Sequence, residues 1–332
     1  MVWAVAAFIA AALITLIITP LVIDVAKKLK LRQTVLEYVD NHALKSGTPT
    51  MGGLAFILGT AAAFLMFARG DKTLAVICLI IFIGYGTVGF LDDFIKVWYK
   101  QNKGLSPWQK IIFQVAIAVL VALFAYFSPY VGDRQFIPVT FDEFYMGVFA
   151  VLYYIAVFLA AGNAVNLIDG LDGLAAGVTR TYILCFSAVL LLVESIVGVS
   201  FASAAEVRNV YVLNMALAGA LFGFGVFNCY PAKIFMGDTG SLALGGIIAG
   251  IAIVTGMTLL LVTLGIMYVI TALSVIIQVA VYKTEKRRVF LMSPLHHHFE
   301  RKGIHENRIV NAYCLITLLT GVSICCLVLF TN

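Results

Sequence analysis

Charged residues are scarce in this sequence, and their scarcity excludes a soluble protein. Only 12% of the 332 residues are charged, while 62% are hydrophobic and the mean hydropathy is +1.02. A soluble domain cannot bury that much apolar surface, so lipid must surround most of the chain. No basic segment precedes the first apolar stretch, so residues 3–23 are predicted to be a membrane helix and not a cleavable signal peptide.

The six cysteines show no CxxC spacing, and five of them lie within apolar stretches. In such surroundings a cysteine is usually a small buried hydrophobic residue. Only Cys229 lies near a polar motif, and nothing around it predicts reactivity.

Ten apolar segments are long enough, or nearly so, to cross a membrane, which takes about 20 residues. They are 3–23, 51–68, 74–91, 109–127, 145–162, 174–193, 212–227, 241–255, 259–281 and 310–330. The longest connection, 282–309, is too short for a separate globular domain. The sequence therefore predicts one all-α, polytopic membrane domain, 1–332, with ten transmembrane helices.

Lysine and arginine concentrate on alternate connections between these segments. With the connections numbered along the chain, 17 of the 22 basic residues lie on odd-numbered ones, and Arg180 lies inside a segment. Basic connections remain in the cytoplasm, so both termini are predicted to be extracytoplasmic. The net charge of +5 suits an anionic leaflet and anionic substrates.

Five clusters of reactive polar residues lie on the connections predicted to be cytoplasmic. They are Lys45–Thr50, Asp92–Asp93, Asn163–Asp172, Asn228–Asp238 and His296–His298. Carboxylates, amides, imidazoles and lysines gathered at one water–lipid boundary indicate an enzyme that acts on a charged substrate attached to lipid.

Two of the clusters are acidic. Asp92 and Asp93 are adjacent, so they repel each other and favour either a divalent cation or one raised pKa, although a solvated helix end is the simpler interpretation. Asn166, Asp169 and Asp172 are spaced three apart, so all three share one face if the stretch is helical.

Asp238 lies between glycines before an apolar segment, where it could be a helix N-cap or part of a phosphate site at a helix N-terminus. Phe235 could stack on a planar base or anchor the chain at the membrane interface. Thr50, which follows Lys45, offers a hydroxyl for phosphate, but a helix start explains it equally well.

His296, His297 and His298 could be metal ligands or donors to phosphate. Consecutive helical residues point about 100° apart, so at most two of the three can converge on one ligand. No cysteine is nearby, which favours phosphate over zinc.

In this order, the motifs resemble those of a known family, the polyprenyl-phosphate N-acetylhexosamine-1-phosphate transferases. The matching segments are GTPTMGG, FLDDFIK, NAVNLIDGLDGLA, FNCYPAKIFMGDTGS and PLHHHFE, and the resemblance runs from about Lys45 to Arg308. The histidine run favours the branch with a muramoyl-pentapeptide donor over the sister branch that transfers N-acetylglucosamine 1-phosphate.

The resemblance implies a ten-helix, dimeric enzyme of the bacterial cytoplasmic membrane with its active site on the cytoplasmic face. The implied substrates are UDP-N-acetylmuramoyl-pentapeptide and undecaprenyl phosphate, and the products are lipid I, a peptidoglycan precursor, and UMP. Mg2+ is the implied cofactor, membrane lipid is a partner, and no nucleic acid is expected.

The resemblance also implies roles for single residues. Asp92, Asp93 and Asp238 are expected to be the catalytic acids, with Asp238 the Mg2+ ligand. A nucleoside pocket is expected from Asn166, Asp169, Gly170, Leu171, Asp172 and Phe235, with Phe235 stacked on uracil. Further substrate contacts are expected at Lys45, Thr50, Lys96, Asn228, His296, His297 and His298.

Two other functions stay open from the sequence. A transporter or channel also carries polar residues in a membrane, but it needs them near mid-bilayer and often has repeated halves, which are not visible here. The sister transferase shares the acidic motifs. For the reaction, a single displacement assisted by Asp92 is expected, and a phosphorylated-Asp intermediate is the competing scheme.

Overall fold

The computed structural model of the chain describes residues 2–29, 47–99, 104–138, 140, 142–198 and 201–331. These residues form α-helices and two short β-strands. In chain order they are α1 Val2–Lys28, α2 Gly53–Phe67, α3 Thr73–Trp98, α4 Pro107–Phe127, β1 Arg134–Phe136, β2 Glu143–Tyr145, α5 Phe149–Ile168, α6 Leu174–Leu192, α7 Ala204–Asn228, α8 Gly237–Val254, α9 Leu260–Thr263, α10 Ile266–Glu285, α11 Leu295–Arg301 and α12 Glu306–Thr331. A π-helical turn, Val193–Val197, continues α6.

Each of the ten predicted apolar segments lies largely on helix. In the described part of the chain, 9 helices are long and apolar enough to cross a membrane, as expected of a polytopic helical membrane protein. Segment 51–68 forms α2, whose 15 residues span about 22 Å, less than the hydrocarbon core of about 30 Å. The count of ten spans and the side of the termini therefore stay predictions.

A small antiparallel hairpin, β1–β2, departs from the all-helical prediction. Gln135 of β1, which pairs with Phe144, is fully buried. Its side chain donates to the Tyr154 hydroxyl at 3.0 Å and accepts from the Thr258 hydroxyl at 2.5 Å. The hairpin thus depends on Tyr154 of α5 and on Thr258 in the turn between α8 and α9, both distant in the sequence. Three-residue strands are too short to leave an alternating pattern in the sequence.

Helix α8 lies at the centre of the bundle, and all of its residues beyond the first two are buried. It packs against α2, α3 and α5. Glycines allow the backbones to approach closely, because a Cβ at Gly89 of α3 would collide with the Asp238 carbonyl and one at Gly245 would lie 2.5 Å from Gly162 of α5. This packing brings the ends of α3, α5 and α8 together where the polar motifs lie.

The N-terminus of α3, at the end away from the polar motifs, is capped by a side chain from α7. The carboxylate of Glu206, only 1% exposed, accepts hydrogen bonds from the backbone amides of Thr73 at 2.8 Å and Leu74 at 3.0 Å. A carboxylate at a helix N-terminus satisfies free amides and interacts favourably with the helix dipole. The cap fixes α3 against α7, the helix that carries Asn228 at its far end.

Candidate active site

Three carboxylates meet where α3 and α8 touch. Asp92 and Asp93 lie in the last two turns of α3, and Asp238 lies in the first turn of α8. Each offers an oxygen that lies within 4.8 Å of those of the other two, a spacing suited to a metal ion. The predicted set of three acids is therefore one cluster in space.

Two lysines neutralise part of this charge. Lys96 Nζ lies 2.6 Å from Asp92 Oδ2 and 2.8 Å from Asp238 Oδ2. Lys110, from the first turn of α4, lies 2.8 Å from the same Asp238 oxygen and 3.4 Å from Asp92 Oδ2. Three carboxylates against two ammonium groups leave an excess of negative charge, which favours a further cation.

Asp93 differs from Asp92, because it caps α8. Its oxygens accept from the backbone amide of Asp238 at 3.2 Å and from the amide and hydroxyl of Thr239 at 2.9 and 2.7 Å. Gly237, with φ of +71°, leaves room for this carboxylate, since a Cβ there would collide with it. Asp93 thus positions the start of α8, and Asp92 faces the lysines.

Asp238 is held on both carboxylate oxygens. Asn166 Nδ2, near the end of α5, donates to Asp238 Oδ1 at 2.7 Å and to the Ser241 hydroxyl at 2.8 Å. The N-cap position of α8 belongs to Met236, so the interpretation of Asp238 as an N-cap is wrong. Its side chain points into the acid–lysine cluster, defined by Asp92, Asp93, Lys96, Lys110 and Asp238.

Asn166, Asp169 and Asp172 would share one face only if the stretch were helical, and the structure does not meet this condition. Helix α5 ends at Ile168, and the chain then turns through Gly173, whose φ is +76°. Asn166 therefore points to Asp238, whereas Asp172 Oδ2 accepts from the backbone amide of Ala232 at 2.9 Å.

Residues 169–172 form a tight turn beside the acid–lysine cluster. Burial, followed by repulsion from Asp238, Asp93 and Asp172, raises the pKa of Asp169 well above its ordinary value. These surroundings favour the neutral over the ionised form of the Asp169 carboxyl group. Leu171 of this turn is buried, and Gly170 is partly exposed.

The predicted phosphate motif around Thr50 supports the segment that carries Phe235. Phe235 donates its backbone amide to the Pro49 carbonyl at 2.8 Å and accepts from Gly52 at 2.9 Å. Thr50 is buried, and Asn228 donates to the Ile234 carbonyl at 2.9 Å. These contacts hold the half-buried Phe235 in place. Lys45 lies outside the described residues.

The three histidines on α11 point in different directions. His296 is fully buried against Gly170, and among the described residues neither of its ring nitrogens has a hydrogen-bond partner. His297 also approaches Gly170 and bonds Glu300 at 2.8 Å, while His298 accepts from the Leu291 amide at 3.1 Å. Two of the three thus converge near the 169–172 turn, in agreement with the helical geometry.

Burial, together with the neighbouring His297, lowers the pKa of His296 to about 3. The ring is therefore neutral at physiological pH, with one nitrogen free to accept and one to donate.

Three contributors to the site were not predicted as site residues. Lys110, Thr239 and Ser241 hold Asp238 or Asp93 directly or through Asn166. Thr239 and Ser241 lie within three residues of Asp238, and this closeness in the sequence could have identified them as site residues. Lys110 follows a separate connection, and its role appears only when α4 packs beside α3.

The acid–lysine cluster lies at one end of a bundle of membrane-spanning helices, and comparison with known families gives the class of the protein, a glycosyl transferase. A family model described as Glycosyl transferase family 4 matches residues 73–256, more than half of the chain and including Asp92, Asp93 and Asp238. Residues 45–57 match Phospho-N-acetylmuramoyl-pentapeptide-transferase signature 1.

Similar curated proteins carry the same name. The chain is 42% identical to the phospho-N-acetylmuramoyl-pentapeptide-transferase of Clostridium kluyveri over 90% of this chain and 91% of the relative. It is 43% identical to that of Desulfitobacterium hafniense over 95% of both chains. The chain belongs to the phospho-N-acetylmuramoyl-pentapeptide-transferase family, which confirms the resemblance found in its motifs.

Proposed function

We propose that the protein transfers phospho-N-acetylmuramoyl-pentapeptide from its UDP carrier to undecaprenyl phosphate, which yields lipid I and UMP. The name shared by the relatives supports this activity. The observation that carries it is the acid–lysine cluster at the end of the helix bundle, where Lys96 and Lys110 both lie 2.8 Å from Asp238. A reaction between two phosphate-bearing substrates needs such paired charges.

The acid–lysine cluster fits one Mg2+, with Asp238 as the main ligand and Asp92 beside it. Magnesium prefers oxygen ligands and commonly takes one or two carboxylates together with substrate phosphates. Three carboxylate oxygens within 4.8 Å of one another and an excess of negative charge support this assignment. A bound Mg2+ would offset the charge of the donor pyrophosphate and orient it.

The chain's own residues position the reactants. Lys96 and Lys110 reduce the repulsion between the acceptor phosphate and the donor pyrophosphate, and Asp92 assists the acceptor oxygen. That oxygen forms a bond to the sugar-bearing phosphorus of the donor while the bond from this phosphorus to the bridging oxygen breaks, and UMP leaves with the electron pair. Positioning and charge neutralisation are the main requirements of such a displacement.

The nucleoside is proposed to lie between the 169–172 turn and Phe235. Asp169 is placed to form a hydrogen bond with uracil, and Phe235 supplies the stacking surface. His296 and His297, which flank Gly170, are proposed to contact the donor from the other side. Asn228 and Asp172 support these segments through their hydrogen bonds. Thr50 is buried in the segment whose Pro49 and Gly52 bond the backbone of Phe235.

The active site is proposed to face the cytoplasm of a bacterial cell, in a multi-pass enzyme of the inner membrane that works as a homodimer. The excess of lysine and arginine on the connections at the site end supports this orientation. The dimer is inferred from the family resemblance alone.

The decisive test of substrate class is a donor comparison with the purified protein, undecaprenyl phosphate and Mg2+. UDP-N-acetylmuramoyl-pentapeptide is expected to yield lipid I with one UMP for each product, and UDP-N-acetylglucosamine is expected to yield none. Turnover of the second donor alone would refute the proposal in favour of the sister transferase.

The single displacement has its own test. Enzyme incubated with the muramoyl donor alone is expected to release no UMP until undecaprenyl phosphate is added. A burst of UMP equal to the enzyme concentration, without the acceptor, would instead support a phosphorylated aspartate.

A further inference from the structure

Arg180 is a cation inside a membrane-spanning helix, and in the described part of the chain no carboxylate pairs with it. It lies in the second turn of α6, half-buried. Lys96 and Lys110, by contrast, each contact two or more carboxylates. The rise of a helix places Arg180 about 9 Å along α6 from the 169–172 turn. An uncompensated charge at that depth is unfavourable, so its position needs a reason.

The guanidinium of Arg180 is held in a defined direction. Its central carbon lies 4.2 Å from the ring centroid of Phe222 on α7, a cation–π contact. Phe222 itself packs against Phe8 of α1 at 5.4 Å. One terminal nitrogen of Arg180 reaches Gly225, one turn closer to the active-site end of α7. The side chain thus leans towards the membrane surface, as long cationic side chains do in bilayers.

Arg180 lies on α6 between Cys314 of α12 and Phe222 of α7. Both of these helices pack on α6, but they make little contact with each other. The outer face of α7 is apolar and open, since Phe222 is 42% and Val226 62% exposed. An exposed apolar helix face beside a cation that no described carboxylate pairs with matches a lipid with an anionic head group.

We propose that Arg180 binds the phosphate of an anionic phospholipid from the leaflet on the active-site side, with the acyl chains along α7 and α12. A guanidinium offers planar, paired donors to phosphate oxygens, and it is more weakly hydrated than an ammonium group. A soluble phosphate would have to leave water to reach this depth, whereas a lipid phosphate already lies at the interface. The site is separate from the acid–lysine cluster and does not depend on the reaction proposed for it.

Native mass spectrometry of the protein, with phosphatidylglycerol titrated against phosphatidylcholine, tests this site. The wild-type protein is expected to retain one more phosphatidylglycerol per chain than Arg180→Met, with at least ten-fold weaker binding in the variant. The phosphatidylglycerol affinity of Arg180→Lys should fall between those two, because lysine keeps the charge but lacks the planar, paired donors of the guanidinium. Lys28→Met, which removes an exposed cation at the end of α1, should match the wild type.

Equal phosphatidylglycerol binding by the wild-type protein and Arg180→Met would overturn the proposal. So would a loss confined to polyprenyl phosphate, which would assign the site to the acceptor, or a change in dimer fraction with unchanged lipid count, which would assign it to a second copy of the chain. If Arg180→Met does not fold, Phe222→Ala and Arg180→Lys replace it. Unchanged binding by both would contradict the proposal.

Discussion

The two ends of the helix bundle both contain buried polar networks, but the networks differ in charge. Around Gln135, neutral groups satisfy one another, since its amide bonds the hydroxyls of Tyr154 and Thr258. Around Asp238, three carboxylates share two lysines. A balanced neutral network specifies structure, whereas an unbalanced charged one retains the capacity to bind an ion or a phosphate.

Asp238→Asn should produce the largest effect on activity. The amide keeps the shape but removes the charge that Lys96 and Lys110 share, so the transfer rate should fall by about 10³-fold under saturating Mg2+. Lipid I formation from radiolabelled donor measures it. Asp142→Asn, at an exposed position near the hairpin, is the control and should keep full activity. A near-normal rate for Asp238→Asn would refute its assigned role.

Lys110→Met should have the next largest effect. Lys96 remains to neutralise Asp238, so the expected loss in kcat/KM is about 10- to 100-fold, or about 1.4–2.7 kcal/mol. Steady-state kinetics with both substrates varied measures the loss. Lys283→Met, an exposed lysine at the end of α10, controls for a general change in surface charge. Equal kcat/KM values for Lys110→Met and Lys283→Met would show that Lys110 has no role in the reaction.

Gln135→Leu should lower stability and leave chemistry unchanged, which separates the two ends of the bundle. It removes one hydrogen bond from each of the Tyr154 and Thr258 hydroxyls, which keep their bonds to the Gly132 carbonyl and the Tyr153 hydroxyl. The expected cost is about 1–3 kcal/mol in the free energy of unfolding. Thermal melting in detergent and the rate per folded molecule are the two readouts. A large fall in the rate with unchanged melting would contradict the division between structural and chemical networks.

His296 should make stability depend on pH in a known direction. Its pKa in the fold, about 3, lies below the ordinary value of 6.5, so the unfolded chain binds a proton in this window and the folded chain does not. Stability should therefore fall as pH decreases from about 6.5 towards 3, by up to about 1.4 kcal/mol per pH unit. Melting of the wild type and His296→Gln across pH 7 to 5 measures it, and identical slopes would contradict the assignment.

Much of the fold, and part of the candidate site, could be predicted from the sequence alone. The hydropathy pattern located the 9 membrane-spanning helices of the described residues, because lipid imposes long apolar segments, and the motif order identified the family. The meeting of Asp92 with Asp238 followed from the expectation of one polar face. The division of labour between Asp92 and Asp93 was not predictable, because it depends on which carboxylate faces the start of α8.

The positions of Lys110 and Asp172 could not be predicted from the sequence around them. Lys110 belongs to the site through the packing of α4 beside α3, a tertiary contact with no periodic pattern of its own. Asp172 would share a face with Asn166 if the whole stretch were helical. Helix α5 instead ends at Ile168, and Asp172 accepts a hydrogen bond from Ala232. Lys110 and Asp172 are each positioned by a contact with a residue far away in the sequence.

Metal binding measured by the electron paramagnetic resonance of Mn2+, used as a substitute for Mg2+, tests the comparison most directly. The wild type and Gln135→Leu are each predicted to bind one ion per chain at the acid–lysine cluster, and Asp238→Asn is predicted to bind at least ten-fold more weakly. Equal binding by all three proteins would contradict the claim that the unbalanced charge around Asp238 forms the reactive site.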